Sequence, residues 1–309
     1  MSRISSVLGS AVLVLGCAFA SAQSVEEATN KVVDAVVTPA AATTYTFTEV
    51  NYAGDTFTQL LGINKNGVIA GYHGSGMDAQ HPNKGFTLTL PNTFTPMNYP
   101  SSVQTQVIGI NDTNGTAGFY IDSKNVTHGF YQVGGMYRTQ DFPGTTFNQL
   151  LGWNNNQQAA GYSQDAAGNF HPYVWNKSTP YLSMLIPGAV SAQATNMNNV
   201  GSISGFYIDS TGTNHGFLFY NGNFTRFTYP GSTFTQCLGV NDSNEVVGTY
   251  TDTSNLTHGF VWKANVWQTI DDPKGIGSTV VNGINNAGTL VGFWGNVGAG
   301  ISHGFVAVP

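Results

Sequence analysis

Six copies of one unit, each reading as four short antiparallel strands, predict an all-β fold. The expected form is a six-bladed β-propeller, its ring closed by the N-terminal strand pairing in the last blade. Three observations carry this expectation. The string "GINKNGVIAGY" at 62–72 returns five more times in variant form, with its asparagine at Asn64, Asn111, Asn154, Asn198, Asn241 and Asn285, spaced 47, 43, 44, 43 and 44 residues apart. A second element follows each copy: Gly85-Phe86, Gly129-Phe130, Pro172-Tyr173, Gly216-Phe217, Gly259-Phe260 and Gly304-Phe305. A third, exemplified by "FTRFTYPG" at 224–231, precedes each asparagine.

The strands of one repeat are A (224–229), B (236–240), C (245–250) and D (259–263), rich in β-branched and aromatic residues. "NDSNE" turns B into C and "NGN" turns D into A, with no helical pattern between strands. Strand B is apolar on both faces, as in Leu60-Leu61, Val107-Ile108 and Leu150-Leu151, which suits a strand enclosed by two neighbouring blades. The A–B link, "YPGSTFTQ", is the longest and stiffest connection and marks the passage between blades. B is therefore innermost and A outermost. The chain opens on an A strand and ends on a D strand, so residues 47–52 complete the last blade and remove an exposed edge.

The 309 residues carry only 8% charged side chains, 38 glycines and 12% aromatics, a composition of β-rich extracellular chains. A net charge of −6 offers no footprint for nucleic acid. At the N-terminus Arg3, an apolar run over 7–20 and "ASA" at 20–22 read as a signal peptide, residues 1–22. Residues 23–43 then form a linker, in which "SVEEATNKVVDAVV" (24–37) reads as a short amphipathic helix capped by Ser24, and 44–309 form the propeller. The apolar run is short for a span, so no stable membrane span is expected in the mature chain. The expected location is secreted, periplasmic or extracellular. Lipid anchoring through Cys17, which ends "VLGC", is the lesser alternative because Leu15 fits that pattern poorly. Cys237 is then alone and makes no disulfide. It aligns with Leu60, Val107, Leu150, Ala194 and Val281 and reads as a small buried hydrophobe rather than a nucleophile.

"GINDTNG…HGF", "GVNDSNE…HGF" and "GINNAG…HGF" in repeats two, five and six resemble the bacterial HAF-type extracellular repeat family, with its G-I-N-x-x-G-x-x-x-G-x-Y and H-G-F strings. The resemblance runs from about Tyr45 to Pro309; repeat three departs at His171-Pro172-Tyr173 and repeat four at Asn196. It implies secretion and a repeat fold, and supplies no substrate.

Candidate chemistry begins with acid–histidine pairs six residues apart: Asp122 and His128, Asp165 and His171, Asp209 and His215, Asp252 and His258. One pair alone suggests a general acid–base dyad. Four pairs distributed round a ring point away from one substrate and read as structural turn pairs between C and D. Calcium-loop spacing is incomplete and zinc ligands do not converge, so no metal and no cofactor are expected. The repeated asparagine reads as a turn cap in "N-x-x-G", with a polar collar round the mouth as the functional alternative. Asp271-Asp272 reads as solvated surface. No nucleophile elbow, H-E-x-x-H or P-loop is present, so no catalytic residue is assigned.

The binding-site expectation falls on the start of strand B. Gln59, Gln106, Gln149, Gln193 and Gln236 stand there, with Val280 in the sixth copy; odd repeats precede it with Phe57, Phe147 and Phe234. Phe57, Gln59, Phe147, Gln149, Phe234 and Gln236 are thus candidate ligand-binding residues facing a common opening; wedging of the phenylalanines between blades is the structural alternative. The expected function is a secreted binding module for an extracellular glycan, peptide or envelope component. The alternatives are a secreted lyase or hydrolase at the channel mouth and a structural surface-assembly protein.

Overall fold

The innermost strand of every repeat carries a register shift near its end, at a glycine in five blades and at Asn196 in blade 4. A computed structural model describes residues 32–34, 42–75, 82–178 and 181–309. The chain enters with β1 (Val32–Asp34) and β2 (Thr46–Val50). Blade 1 is β3 (Phe57–Ile63), β4 (Ile69–Gly74), β5 (Lys84–Thr89) and β6 (Thr93–Pro96). Blade 2 is β7 (Gln104–Ile110), β8 (Thr116–Ile121), β9 (Thr127–Val133) and β10 (Met136–Thr139). Blade 3 is β11 (Asn148–Trp153), β12 (Ala159–Gln164), β13 (Phe170–Trp175) and β14 (Leu182–Ser183). Blade 4 is β15 (Ala189–Met197), β16 (Ile203–Asp209), β17 (Asn214–Tyr220) and β18 (Asn223–Phe227). Blade 5 is β19 (Phe234–Val240), β20 (Val246–Thr251), β21 (Thr257–Lys263) and β22 (Val266–Ile270). Blade 6 is β23 (Thr279–Ile284), β24 (Leu290–Trp294) and β25 (His303–Val308), completed by β2.

That completion is the expected clasp. β2 pairs antiparallel with β25 from Thr46 opposite Val308 to Val50 opposite Gly304. Val50 joins Leu60, Phe86, Val291 and Val306 in one buried cluster, so the clasp contributes to the core between blades 6 and 1. The seam is also tied by Asn282 Nδ2, which donates to Leu60 O at 3.0 Å, and by Thr58 N, which donates to Ser302 O at 3.0 Å.

All seven residues of β3 are buried, as a strand enclosed on both faces requires. Five of the innermost strands shift register at the glycine of the G-x-N motif, as between Val107 and Gly109, and β15 does so at Asn196, which stands in the glycine's place. The glycine is needed because neighbouring innermost strands nearly touch: a β-carbon on Gly109 would lie 2.5 Å from Leu151 O, and one on Gly239 2.6 Å from Asn282 O.

Cys237 is fully buried beside Leu218, Phe227 and Phe260, and burial pushes its thiol well above its ordinary pKa, which leaves it a packing residue. Within the stretch 24–37 expected to be helical, residues 32–34 are a strand instead. They are extended and pair in parallel with β18, Val32 opposite Phe224, while Arg226 Nε donates to Asp34 Oδ1 at 2.6 Å. The rest of that stretch, and the expected signal peptide, lie outside the described residues. Among the described residues no helix is long and apolar enough to cross a membrane.

Candidate functional site

The two ends of the propeller are built by one local device. At the B–C turns each asparagine accepts two backbone N–H bonds: Asn198 Oδ1 takes Val200 N at 3.2 Å and Ser202 N at 2.7 Å. At the opposite end the aspartates of the C–D turns do the same: Asp209 Oδ1 takes Thr211 N at 2.8 Å and Thr213 N at 3.0 Å.

The asparagines do more than cap. Each donates its Nδ2 to the backbone carbonyl of the next asparagine in the ring, at 3.0, 3.2, 3.1, 2.8, 3.2 and 3.3 Å in order from Asn64 to Asn285. All six asparagines are buried. Five of them, Asn154 excepted, line a narrow axial cavity of about 60 Å³. A second tier is formed by the residues that follow them. The N–H groups of Lys65, Asp112, Asn155, Asn199 and Asp242 each donate to the side-chain oxygen of the next blade's residue, ending at Asn286. Turn capping and the polar collar are therefore one structure.

The acid–histidine pairs sit at the other end, one on each of four blades. Nε2 to Oδ2 separations are 3.6 Å for His128 and Asp122, 2.8 Å for His171 and Asp165, 3.2 Å for His215 and Asp209, and 3.5 Å for His258 and Asp252. Three of the four histidines also bond the residue thirteen positions on: His128 to Asp141, His215 to Thr228 and His258 to Asp271. The Thr211 hydroxyl, the turn's N–H groups and His215 outweigh burial and hold Asp209 at about 2. Bonds from the turn backbone and histidine likewise hold Asp122 and Asp252 below the ordinary carboxylate range. This geometry spends both carboxylate oxygens within the hairpin.

Asp271 and Asp272 are corrected from solvated surface. Burial raises Asp271, which bonds His258. Asp272 is 3% exposed, and its Oδ1 accepts from Lys274 N at 2.8 Å. Among the described residues no three His, Cys, Asp or Glu side chains cluster as metal ligands would.

The six sequence-predicted binding residues share the acid–histidine end but not one opening. Phe57 is fully buried against Leu61 and Tyr72, and Tyr72 Oη donates to Gln59 Oε1 at 2.5 Å. Phe147 packs on Tyr162 and Phe170, and Tyr162 Oη donates to Gln149 Oε1 at 2.5 Å. In blades 1 and 3 the wedging alternative therefore describes the phenylalanines, and a tyrosine covers each glutamine.

Blade 5 differs. The residue opposite the glutamine on the next strand is Tyr72, Phe119, Tyr162 and Phe206 in blades 1 to 4, Phe293 opposite Val280 in blade 6, and Thr249 opposite Gln236 in blade 5. Five blades fill this position with an aromatic ring and one leaves it to a threonine. The Thr249 hydroxyl turns back to donate to His258 O at 3.0 Å. Gln236 is buried, and among the described residues its side-chain amide makes no hydrogen bond. Where the ring is missing, a cavity of about 810 Å³ opens, walled by blades 5 and 6. Phe234, Gln236, Leu238 and Thr249 form one wall; Val280, Phe293, Trp294 and the loop at 295–298 form the other. A 3₁₀ turn, Val297–Ala299, shapes that loop, capped by Asn296 Oδ1 accepting from Ala299 N. Trp294 is held by stacking on His303, ring centres 4.3 Å apart.

Sequence reasoning named Phe234 and Gln236 but missed Thr249 and Trp294. The signal was present as the one non-aromatic residue in a column of six.

No family model matches the chain, and no curated protein matches it. Solved structures do. SapL1 lectin, in complex with alpha methyl fucoside, aligns with a TM-score of 0.52 and 12% identity over 77% of this chain and 88% of that one. AofleA from Arthrobotrys oligospora aligns with a TM-score of 0.50 and 12% identity over 85% of this chain and 86% of that one. TolB from Acinetobacter baumannii aligns with a TM-score of 0.52 and 12% identity over 82% of this chain and 64% of that one. At such identity the likeness is one of fold, and it agrees with the all-β propeller of four-stranded antiparallel blades.

Proposed function

We propose that this protein is a carbohydrate-binding module that works outside the cytoplasm and takes its ligand in the cavity between blades 5 and 6. The observation that carries the reading is the cavity's chemistry: aromatic rings of Phe234, Phe293 and Trp294 beside the free amide of Gln236. A pyranose has an apolar C–H face and a rim of hydroxyls, so it needs both kinds of surface at once. At about 810 Å³ the cavity lies within the usual range of small-molecule sites, about 300–1,000 Å³. That a lectin of the same fold was solved with alpha methyl fucoside agrees with the reading. The apolar segment at 7–20 with its "ASA" site, and the resemblance to HAF-type repeats, support the extracytoplasmic setting.

A glycan-binding screen of the purified chain 23–309, read by intrinsic tryptophan fluorescence and confirmed by calorimetry, tests this. Saturable binding of a saccharide is the expected result. Absence of binding across neutral and acidic glycans, with the fold intact by circular dichroism, would remove the proposal.

A further inference from the structure

We infer that Gln236 is the polar anchor of the cavity and that its ligand is a neutral pyranose presenting two adjacent hydroxyls, bound once per propeller. The inference rests on the carbohydrate reading above and narrows it.

The argument for the anchor is a comparison between blades. In blades 1 and 3 the equivalent glutamine gives its Oε1 to a tyrosine hydroxyl, from Tyr72 and Tyr162. In blade 5 that position is Thr249, whose hydroxyl is spent on His258 O. No described group bonds the Gln236 amide, and its Nε2 is buried without a partner. Gln59 Nε2 and Gln106 Oε1 are also unpartnered, but of the three glutamines only Gln236, itself 1% exposed, lines the cavity. A buried amide without partners is costly, and a ligand that satisfies it recovers that cost. An amide presents its donor and acceptor side by side, which matches two adjacent hydroxyls, one accepting and one donating.

The argument for neutrality is the charge on the walls. Of the described residues lining the cavity only Lys274 is charged, and its Nζ lies 2.7 Å from Glu49 Oε2. An acidic sugar would lose its hydration there without gaining a free cation. The argument for one ligand is the column itself: only the fifth of six positions lacks an aromatic ring.

The test is isothermal calorimetry with methyl α-L-fucoside, methyl β-D-galactoside, methyl α-D-glucoside and methyl β-D-glucuronide. The proteins are the parent chain 23–309 and three variants. Thr249→Tyr installs the residue of blades 1 and 3, so it should fold, cover the Gln236 amide and abolish binding. Gln236→Met keeps length and removes the amide, and should weaken binding about tenfold or more. Gln106→Met, the equivalent change in blade 2, should leave affinity unchanged. Melting curves of all variants establish that each is folded. The expected parent result is a stoichiometry of one, binding of at least one neutral glycoside, and loss of that binding when either adjacent hydroxyl is replaced by hydrogen. Loss of binding in Thr249→Tyr with parental affinity in Gln236→Met would overturn the anchor and leave the carbohydrate site standing. Preference for the glucuronide, or several equivalents bound per chain, would overturn neutrality or the single site. Unchanged binding in Thr249→Tyr would overturn both this inference and the location proposed above.

Discussion

Asn285 donates its side-chain amide to the backbone carbonyl of Asn64, 3.3 Å away and 221 residues earlier in the chain. With this bond the ring of six asparagines closes on itself. The C–D turns at the other end use aspartate for the same two-acceptor geometry, at Asp122, Asp165, Asp209 and Asp252. The choice of amide or carboxylate follows from what the other atom must do. At the asparagine end it must donate to a neighbouring blade; at the aspartate end it meets a histidine.

Exchanging the two residue types tests that distinction. Asn198→Asp keeps both turn acceptors, loses the donor to Asn241 O and sets a carboxylate against that carbonyl. It should cost about 3 kcal/mol at neutral pH, close to Asn198→Ala, because buried groups are left unpaired. Asp209→Asn should cost about 1 kcal/mol or less. Urea unfolding monitored by fluorescence measures all three.

Removal of residues 44–53 takes away β2 and exposes the edge of β25. The apparent Tm should fall by at least about 10 °C, since several kcal/mol of core and ladder are lost. A truncated chain that melts with the parent would show that the ring closes without the clasp.

Acid should weaken the propeller in a defined window. Asp209 is held at about 2 and Asp122 and Asp252 are also lowered, so these groups bind protons more readily unfolded than folded. Their contribution is complete above about pH 4, the ordinary carboxylate range, and is lost as pH falls toward 2. Asp271, raised by burial, acts in the opposite sense as pH rises through its titration. Melting curves from pH 6 to 2 should show the main decline below pH 4, and Asp209→Asn should flatten part of it.

Cys237 should resist thiol reagents in the folded chain and react at the rate of global unfolding, because it is fully buried and its thiolate is disfavoured. Labelling kinetics against denaturant concentration check this.

The fold was legible because a repeat multiplies weak signals. One "GIN" string is slight, whereas six at near-constant spacing fix the blade, and the leftover strand at each terminus dictates the clasp. The site was legible only in part. Repetition drew attention to what blades 1, 3 and 5 share, namely Phe57, Phe147 and Phe234. The cavity instead arises where blade 5 departs from the pattern, at Thr249. Cross-strand facing decides whether a glutamine is covered by a tyrosine or left open, and that needs the register of β19 against β20. The placement of Asp271 and Asp272 was misread for a similar reason. Both flank a strand end, yet Asp271 turns to His258 and Asp272 caps the link to blade 6.

The most direct test is a crystal structure of the chain with the glycoside that binds best in solution. The account predicts the sugar between blades 5 and 6, two adjacent hydroxyls on the Gln236 amide and its apolar face toward Phe234, Phe293 or Trp294. A sugar seated elsewhere, on the asparagine ring or repeated from blade to blade, with the Thr249 cavity empty, would contradict it.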